Sequence, residues 1–262
     1  MDVPDSPTDF PTLLRALKRA LKRFGAARLA SGGAFGLHLT AGLSLLVAAV
    51  AIFAAIAAAM TGGRRITVLD VQLALWFNGH AHAGLTRALW LLTQLHSTPG
   101  ILVLAALLGA CLYARKERYW LLTLSIAIPG GMLLNVLLKY LYMRARPGFA
   151  HPIVDLHLDT YSFPSGHTAS ATVLYGLLAA YFLCRTRRPL ARAAIVLAAA
   201  LMVALVALSR MYLGAHYLSD VLAACAESCA WLAVCLTSVS SLRRRRESRG
   251  QSTHHFNDTE AD

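Results

Sequence analysis

Stretches free of Asp, Glu, Lys and Arg run unbroken over residues 37–60, 88–114, 119–138, 168–184 and 193–209, and a sixth over 221–242 is interrupted only by Glu227. Each reaches or approaches the ~20 residues that carry a helix across a hydrocarbon core. In lipid no water satisfies backbone N–H and C=O groups, so apolar runs of this length, rich in Leu and Ala, are predicted to be helical. The pattern predicts an all-α fold: an integral membrane bundle of six transmembrane helices over 37–242. Residues 1–36 precede it as an N-terminal segment and 243–262 follow as a tail. Six crossings place both ends of the chain on one side.

Composition agrees, since 57% of the 262 residues are apolar, too many for an ordinary soluble domain. A net charge of +12 would ordinarily raise nucleic acid as a partner, but the basic residues sit in short clusters between the apolar runs. No nucleic-acid partner is expected; the partner is the bilayer. Of the 25 Lys and Arg, six lie in the N-terminal segment, three follow the second span, four follow the fourth and five are in the tail, which leaves seven on the other side. Cytoplasmic flanks carry the excess of positive charge, so the termini are predicted to be cytoplasmic. Leu13, Leu14, Leu17, Leu21 and Phe24 recur at helical spacing among Arg15, Lys18, Arg19, Lys22 and Arg23. This segment reads as an interfacial helix on anionic lipid or as a solvated basic arm that orients insertion. After Arg243–Arg246 the polar tail reads as disordered. The first apolar run is too long and too late for a cleaved signal peptide, so no processing is expected. The five cysteines lack metal or redox spacing and read as small core residues.

Three stretches at span ends carry candidate chemistry. Lys139 is followed six residues later by Arg146-Pro147; alone, these read equally as an interfacial anchor and a helix stop. Ser162-Phe163-Pro164-Ser165-Gly166-His167-Thr168 opens the fourth span, where free backbone N–H groups and the positive end of the helix dipole form an anion site. Ser209-Arg210, five residues, His216, three residues and Asp220 run from the fifth span into the sixth. If His216 lies in the first turn of that helix, it shares a face with Asp220, which can hold one ring nitrogen and leave the other as a nucleophile. Together the stretches supply cations, two histidines, an acid and a helix N-terminus on one face, which suits cleavage of a phosphate ester. His80 and His82 lack any accompanying ligand pattern, and no metal site is expected. Arg144 could also reach phosphate or be a surface charge. Glu227, seven residues after Asp220, is expected to point inward below the site.

The three stretches resemble the tripartite signature of the type 2 phosphatidic acid phosphatase superfamily, which shares a helical core with vanadium haloperoxidases: Lys-x6-Arg-Pro, Pro-Ser-Gly-His and Ser-Arg-x5-His-x3-Asp. The departure is Leu218, where many bacterial members carry Pro. The resemblance to the membrane branch covers roughly residues 37–242. It implies that His216 attacks phosphorus to form a phosphohistidine, oriented by Asp220, and that His167 protonates the departing oxygen and later activates water. It further implies that Lys139, Arg146, Arg210, Ser165 and the Gly166 N–H bind the phosphate oxygens, with no metal or other cofactor.

The fourth and fifth apolar runs rise only about 25 Å against a core of roughly 30 Å, so the residues bounding them lie at or just below the interface. A phosphate there is most simply a lipid headgroup: phosphatidic acid, phosphatidylglycerol phosphate, a polyprenyl pyrophosphate or a lipid A phosphate. The expected activity is metal-independent hydrolysis of a lipid phosphomonoester or pyrophosphate, at the periplasmic or outer face of a bacterial inner membrane. Transfer of the phosphate to a second lipid would use the same residues. An anion transporter is the reading from another class; its sites lie at broken helices near the midplane, hinted at here only by Pro129-Gly130-Gly131 and Glu227.

Overall fold

The computed structural model describes residues 37–154 and 160–259, with side chains of the last helix described as far as 244. The expected N-terminal interfacial helix lies outside the described residues. Regular structure among them is helical: α1 (Leu37–Thr61), α2 (Arg65–Gly79), α3 (Ala83–Leu95), α4 (Thr98–Ala114), α5 (Arg118–Tyr142), α6 (Gly166–Leu183), α7 (Pro189–Tyr212) and α8 (Leu218–Thr259). The chain divides into two compact units, Met1–Ser44 and Leu45–Asp262. The described part of the first is the opening of α1, and all packing below belongs to the second.

Among the described residues four helical stretches are long and apolar enough to cross a membrane, 39–61, 118–142, 189–212 and 218–244; α3 and α4 supply a fifth if their pair, bent by 55°, is one span. The expected straight span over 88–114 is therefore broken. Ser97 accepts the Gly100 N–H on its hydroxyl and Pro99 sits in the first turn of α4, so Ser-Thr-Pro-Gly starts a new helix where apolarity alone implied continuity. The expected fourth span is α6, 18 residues long. It packs against α4, α5, α7 and α8 and buries Thr168, Ala169, Ala171 and Thr172. A helix surrounded by protein needs few lipid-facing side chains, so α6 falls short of the apolarity of the other spans. The segment 61–87, read as a connection, contains α2. The tail, read as disordered, continues α8 to Thr259: no proline interrupts it, and a formed helix extends at low cost through Arg, Glu and Gln.

Large apolar side chains such as Leu107, Leu137, Leu141, Leu190 and Leu197 are mostly exposed, as lipid-facing residues are. The main core joins Ile101 and Leu112 of α4, Leu124, Ala127 and Ile128 of α5, Val173, Leu174 and Leu177 of α6, and Leu232 of α8. Pro129 sits inside α5, which runs on without a break. The adjacent glycines serve packing instead. A Cβ on Gly130 would lie 2.3 Å from Cζ2 of Trp231, whose indole N–H donates to the Ala127 carbonyl at 2.9 Å. The ring is rigid and tethered, so Gly130→Ala is expected to cost about 1–3 kcal/mol by overpacking and lower the melting temperature in detergent. Gly109→Ala, whose Cβ would meet only side-chain methyls at 3.6 Å or more, is expected to leave it unchanged; equal melting of the two variants would refute the close approach.

Candidate active site

Helices α5 and α7 end, and α6 and α8 begin, around one site. Lys139 occupies the last turn of α5, after which Met143 turns the chain left-handed at φ 45°. Arg210 occupies the last turn of α7. Gly214, at φ +71° and with Phe149 2.8 Å from where a Cβ would stand, permits the tight turn into α8. His216 lies two residues ahead of α8 and not inside its first turn, yet its Nδ1 is 3.5 Å from Asp220 Oδ2.

The Asp220 carboxylate is fully buried. Its Oδ2 accepts from Ser162 Oγ and, at 2.9 Å, from the Tyr217 N–H; its Oδ1 accepts from Arg144 Nη1 at 2.6 Å. This network assigns the His216 proton to Nδ1, facing Asp220, and leaves Nε2 unprotonated, where it accepts from Arg146. Nε2 lies 3.2 Å from Arg146 Nη1. Burial, outweighing the Asp220 carboxylate, pushes the His216 pKa down to about 3.

A cavity of about 280 Å³ opens onto this histidine, and its wall includes Lys139, Arg146, Gly166, His167, Arg210 and His216. Six of the eight expected site residues thus share one cavity. Asp220 stands behind His216, and Ser165 points elsewhere: its hydroxyl is buried 3.1 Å from that of Thr168, while its N–H donates to the Asp220 carbonyl at 3.1 Å. The Gly166 and His167 N–H groups open α6 beside the cavity. Among the described residues the three cations bond only to neutral oxygens and ring nitrogen. Lys139 donates to the Tyr161 carbonyl at 2.5 Å, Arg146 to the Thr160 and Ala215 carbonyls at 2.7 and 2.8 Å, and Arg210 to Thr93 Oγ1 at 2.8 Å. None joins an ion pair among the described residues, and Arg210 Nε is buried without a partner.

Several contributors were not singled out from the sequence. His96, 1% exposed, comes from the α3–α4 break, with Nδ1 2.8 Å from the Leu92 carbonyl and Nε2 2.8 Å from the Tyr175 hydroxyl. Asn135, four residues before Lys139, lines the cavity and donates to Glu227 Oε1 at 2.6 Å, so Glu227 does point inward below the site. Asp70 of α2 is fully buried against Arg144, at 2.7 Å. Burial alone would lower the Arg144 pKa, but Asp220 and Asp70 raise it. Arg144 is absent from the cavity wall. His80 of the other histidine pair stacks on Trp76.

Residues 118–244 match the family model described as the PAP2 superfamily. Phosphatidylglycerophosphatase B of Bacillus subtilis (strain 168) is 34% identical over 133 residues, 50% of this chain and 64% of that protein. The decaprenylphosphoryl-5-phosphoribose phosphatase of Mycobacterium tuberculosis is 37% identical over 123 residues, 45% of this chain and 60% of that one. The chain therefore spans less than two thirds of the length of either curated relative. Among solved structures, the transmembrane PAP2-type phosphatidylglycerolphosphate phosphatase from Bacillus subtilis superposes with a TM-score of 0.64 at 29% identity, covering 73% of this chain and 94% of that one. Aquifex aeolicus LpxE shares the fold, with a TM-score of 0.50 at 22% identity over 64% and 95% of the two chains.

A histidine whose pKa is depressed on folding stays neutral above that value, and with a pKa of about 3 roughly one His216 ring in a hundred is protonated at pH 5. Side-chain nitrogen NMR of histidine-labelled protein is expected to show one neutral ring, absent in His216→Gln, that does not titrate between pH 5 and 8. Its titration near pH 6.5 would contradict the buried position.

Proposed function

We propose that the protein, whose residues 118–244 match the PAP2 superfamily model, is a membrane lipid phosphatase working through a phosphohistidine. The observation that carries the reading is the set of Lys139, Arg146 and Arg210 around one cavity, without a carboxylate partner among the described residues. Cations removed from water without a counter-ion are costly. A bound phosphate supplies the missing charge, and the N–H groups that open α6 add donors for its oxygens.

In this reading His216 Nε2 attacks phosphorus while Asp220 holds Nδ1–H. The P–O bond to the lipid breaks, and the departing oxygen takes a proton from His167. His167 has no hydrogen-bond partner among the described residues, and a phosphate dianion beside it favours its charged form. His167 then removes a proton from water, which attacks the phosphohistidine; the P–N bond breaks and phosphate leaves. Lys139, Arg146, Arg210 and the Gly166 N–H hold the equatorial oxygens, where transition-state charge is spread. The curated relatives' names point to phosphorylated lipids with unlike headgroups, so the substrate class is a lipid phosphomonoester or pyrophosphate. The distribution of Lys and Arg supports cytoplasmic termini and a site on the opposite face, the periplasmic one in a bacterial inner membrane.

The deciding experiment is phosphate release by the detergent-solubilised protein, in EDTA, from phosphatidic acid, phosphatidylglycerol phosphate, a polyprenyl pyrophosphate and lipid A phosphates. Release that vanadate inhibits and His216→Ala abolishes is expected. Silence across the panel, or a tenth of the rate surviving in His216→Ala, would overturn the reading, and phosphate appearing on a second lipid would assign transfer in place of hydrolysis. The two histidine roles alone predict a bell-shaped pH profile. With His216 pushed down to about 3 in the empty site, the acid limb of kcat/KM falls below pH 5. The alkaline limb belongs to the substrate-bound site, so kcat is expected to fall between pH 5 and 9 as His167, charged beside the phosphate, loses its proton.

A further inference from the structure

Arg144 stands two residues from Arg146 but faces away from the cavity and lies between two buried carboxylates. Its Nη1 donates to Asp220 Oδ1 at 2.6 Å and to Ser219 Oγ at 2.6 Å, and its Nη2 donates to Asp70 Oδ2 at 2.7 Å. The guanidinium lies 4.3 Å from the centre of the Tyr217 ring. Asp70 in turn receives the Ser219 N–H on Oδ1 at 2.9 Å and the Ser219 hydroxyl on Oδ2 at 2.5 Å. A carboxylate from α2 therefore caps the first turn of α8, where Asp220 sits, and also fixes the cation that holds Asp220. We infer that Asp70 and Arg144 are positioning residues: Asp70 and Arg144 clamp Oδ1 of Asp220 so that Oδ2 alone remains to orient His216.

The division of the carboxylate argues for this. Asp220 Oδ2 is shared by Ser162, the Tyr217 N–H and the histidine side, whereas Oδ1 is held by Arg144 alone among its described side-chain partners. Without the clamp the carboxylate is free to rotate and offer His216 either oxygen. Without Asp70, Arg144 has one acid where it is built for two, and the first turn of α8 loses its cap. Neither residue touches the cavity, so each acts on turnover through Asp220 and not on substrate binding.

The inference rests on the phosphohistidine reading, and the test separates the two. Phosphate release from the lipid that wild type hydrolyses fastest is measured for full-length Asp70→Asn, Asp220→Asn and the double variant. Asp70→Asn is expected to lower kcat at least tenfold with KM within twofold of wild type. In the Asp220→Asn background the same change is expected to have no further effect on kcat, because the route through Asp220 is already cut; a general packing defect would lower both backgrounds alike. An Asp70→Asn kcat within twofold of wild type, or a loss that multiplies in the double variant, overturns the inference while leaving the phosphatase reading intact. Arg144→Lys, which cannot span both carboxylates, provides the same reading should Asp70→Asn fail to accumulate: a tenfold loss in kcat supports the clamp and an unchanged kcat overturns it. A wild type silent on every lipid, like His216→Ala, overturns both proposals.

Discussion

The carboxylate of Asp220 is the knot of this structure. It sits at the start of α8 and takes hydrogen bonds from Ser162, ahead of α6, from Arg144, beyond α5, and from the Tyr217 backbone beside His216. Its own carbonyl takes the Ser165 N–H. Three segments distant in sequence, after α5, ahead of α6 and at the start of α8, are therefore held in register by one residue. Burying an acid is tolerable only when it is paired and fully bonded, and removing one partner from such a pair typically costs about 3–5 kcal/mol. The same bonds that make the burial bearable hold Oδ2 3.5 Å from Nδ1 of His216.

A second constraint works in the opposite sense. Arg144 has two acids, while Lys139, Arg146 and Arg210 have none among the described residues. The site thus separates its cations into one that is saturated and three that are not. The unsaturated three line the same cavity as His216, whose Nε2 accepts from one of them, Arg146. In the proposed function, the stability given up in the empty site makes affinity for a multiply charged oxyanion available without rearrangement.

Much of this was legible in the sequence, because the signature residues lie at helix ends where an apolar run gives way to Arg, His and Gly. Lys139, Arg146, Gly166, His167, Arg210 and His216 reach one cavity from three separate stretches, and Glu227 faces inward as its spacing from Asp220 implied. The residues that escaped notice are those whose meaning depends on a distant partner. Asp70 bonds to Ser219, 149 positions away, and His96 to Tyr175, 79 away; nothing local distinguishes either from a surface polar residue. The break between α3 and α4 was hidden for another reason. Run-length reading counts charge and ignores capping, so Ser97 and Pro99 passed as apolar-run residues although they stop one helix and start the next. Likewise α6 looked like an ordinary span because periodicity does not reveal whether a helix is surrounded by lipid or by protein.

The alternation of helix direction around the site has an arithmetic of its own. Lys139 ends α5 and His167 begins α6 on the same side, and two passages later Arg210 ends α7 where Asp220 begins α8. Adding or losing one crossing between any of these would leave half of the site on the opposite face of the bilayer, so insertions in this stretch are tolerated only in even numbers. The same rule reaches back to α2, because Asp70, Thr93 and His96 meet Arg144, Arg210 and the cavity at the end where α5 finishes.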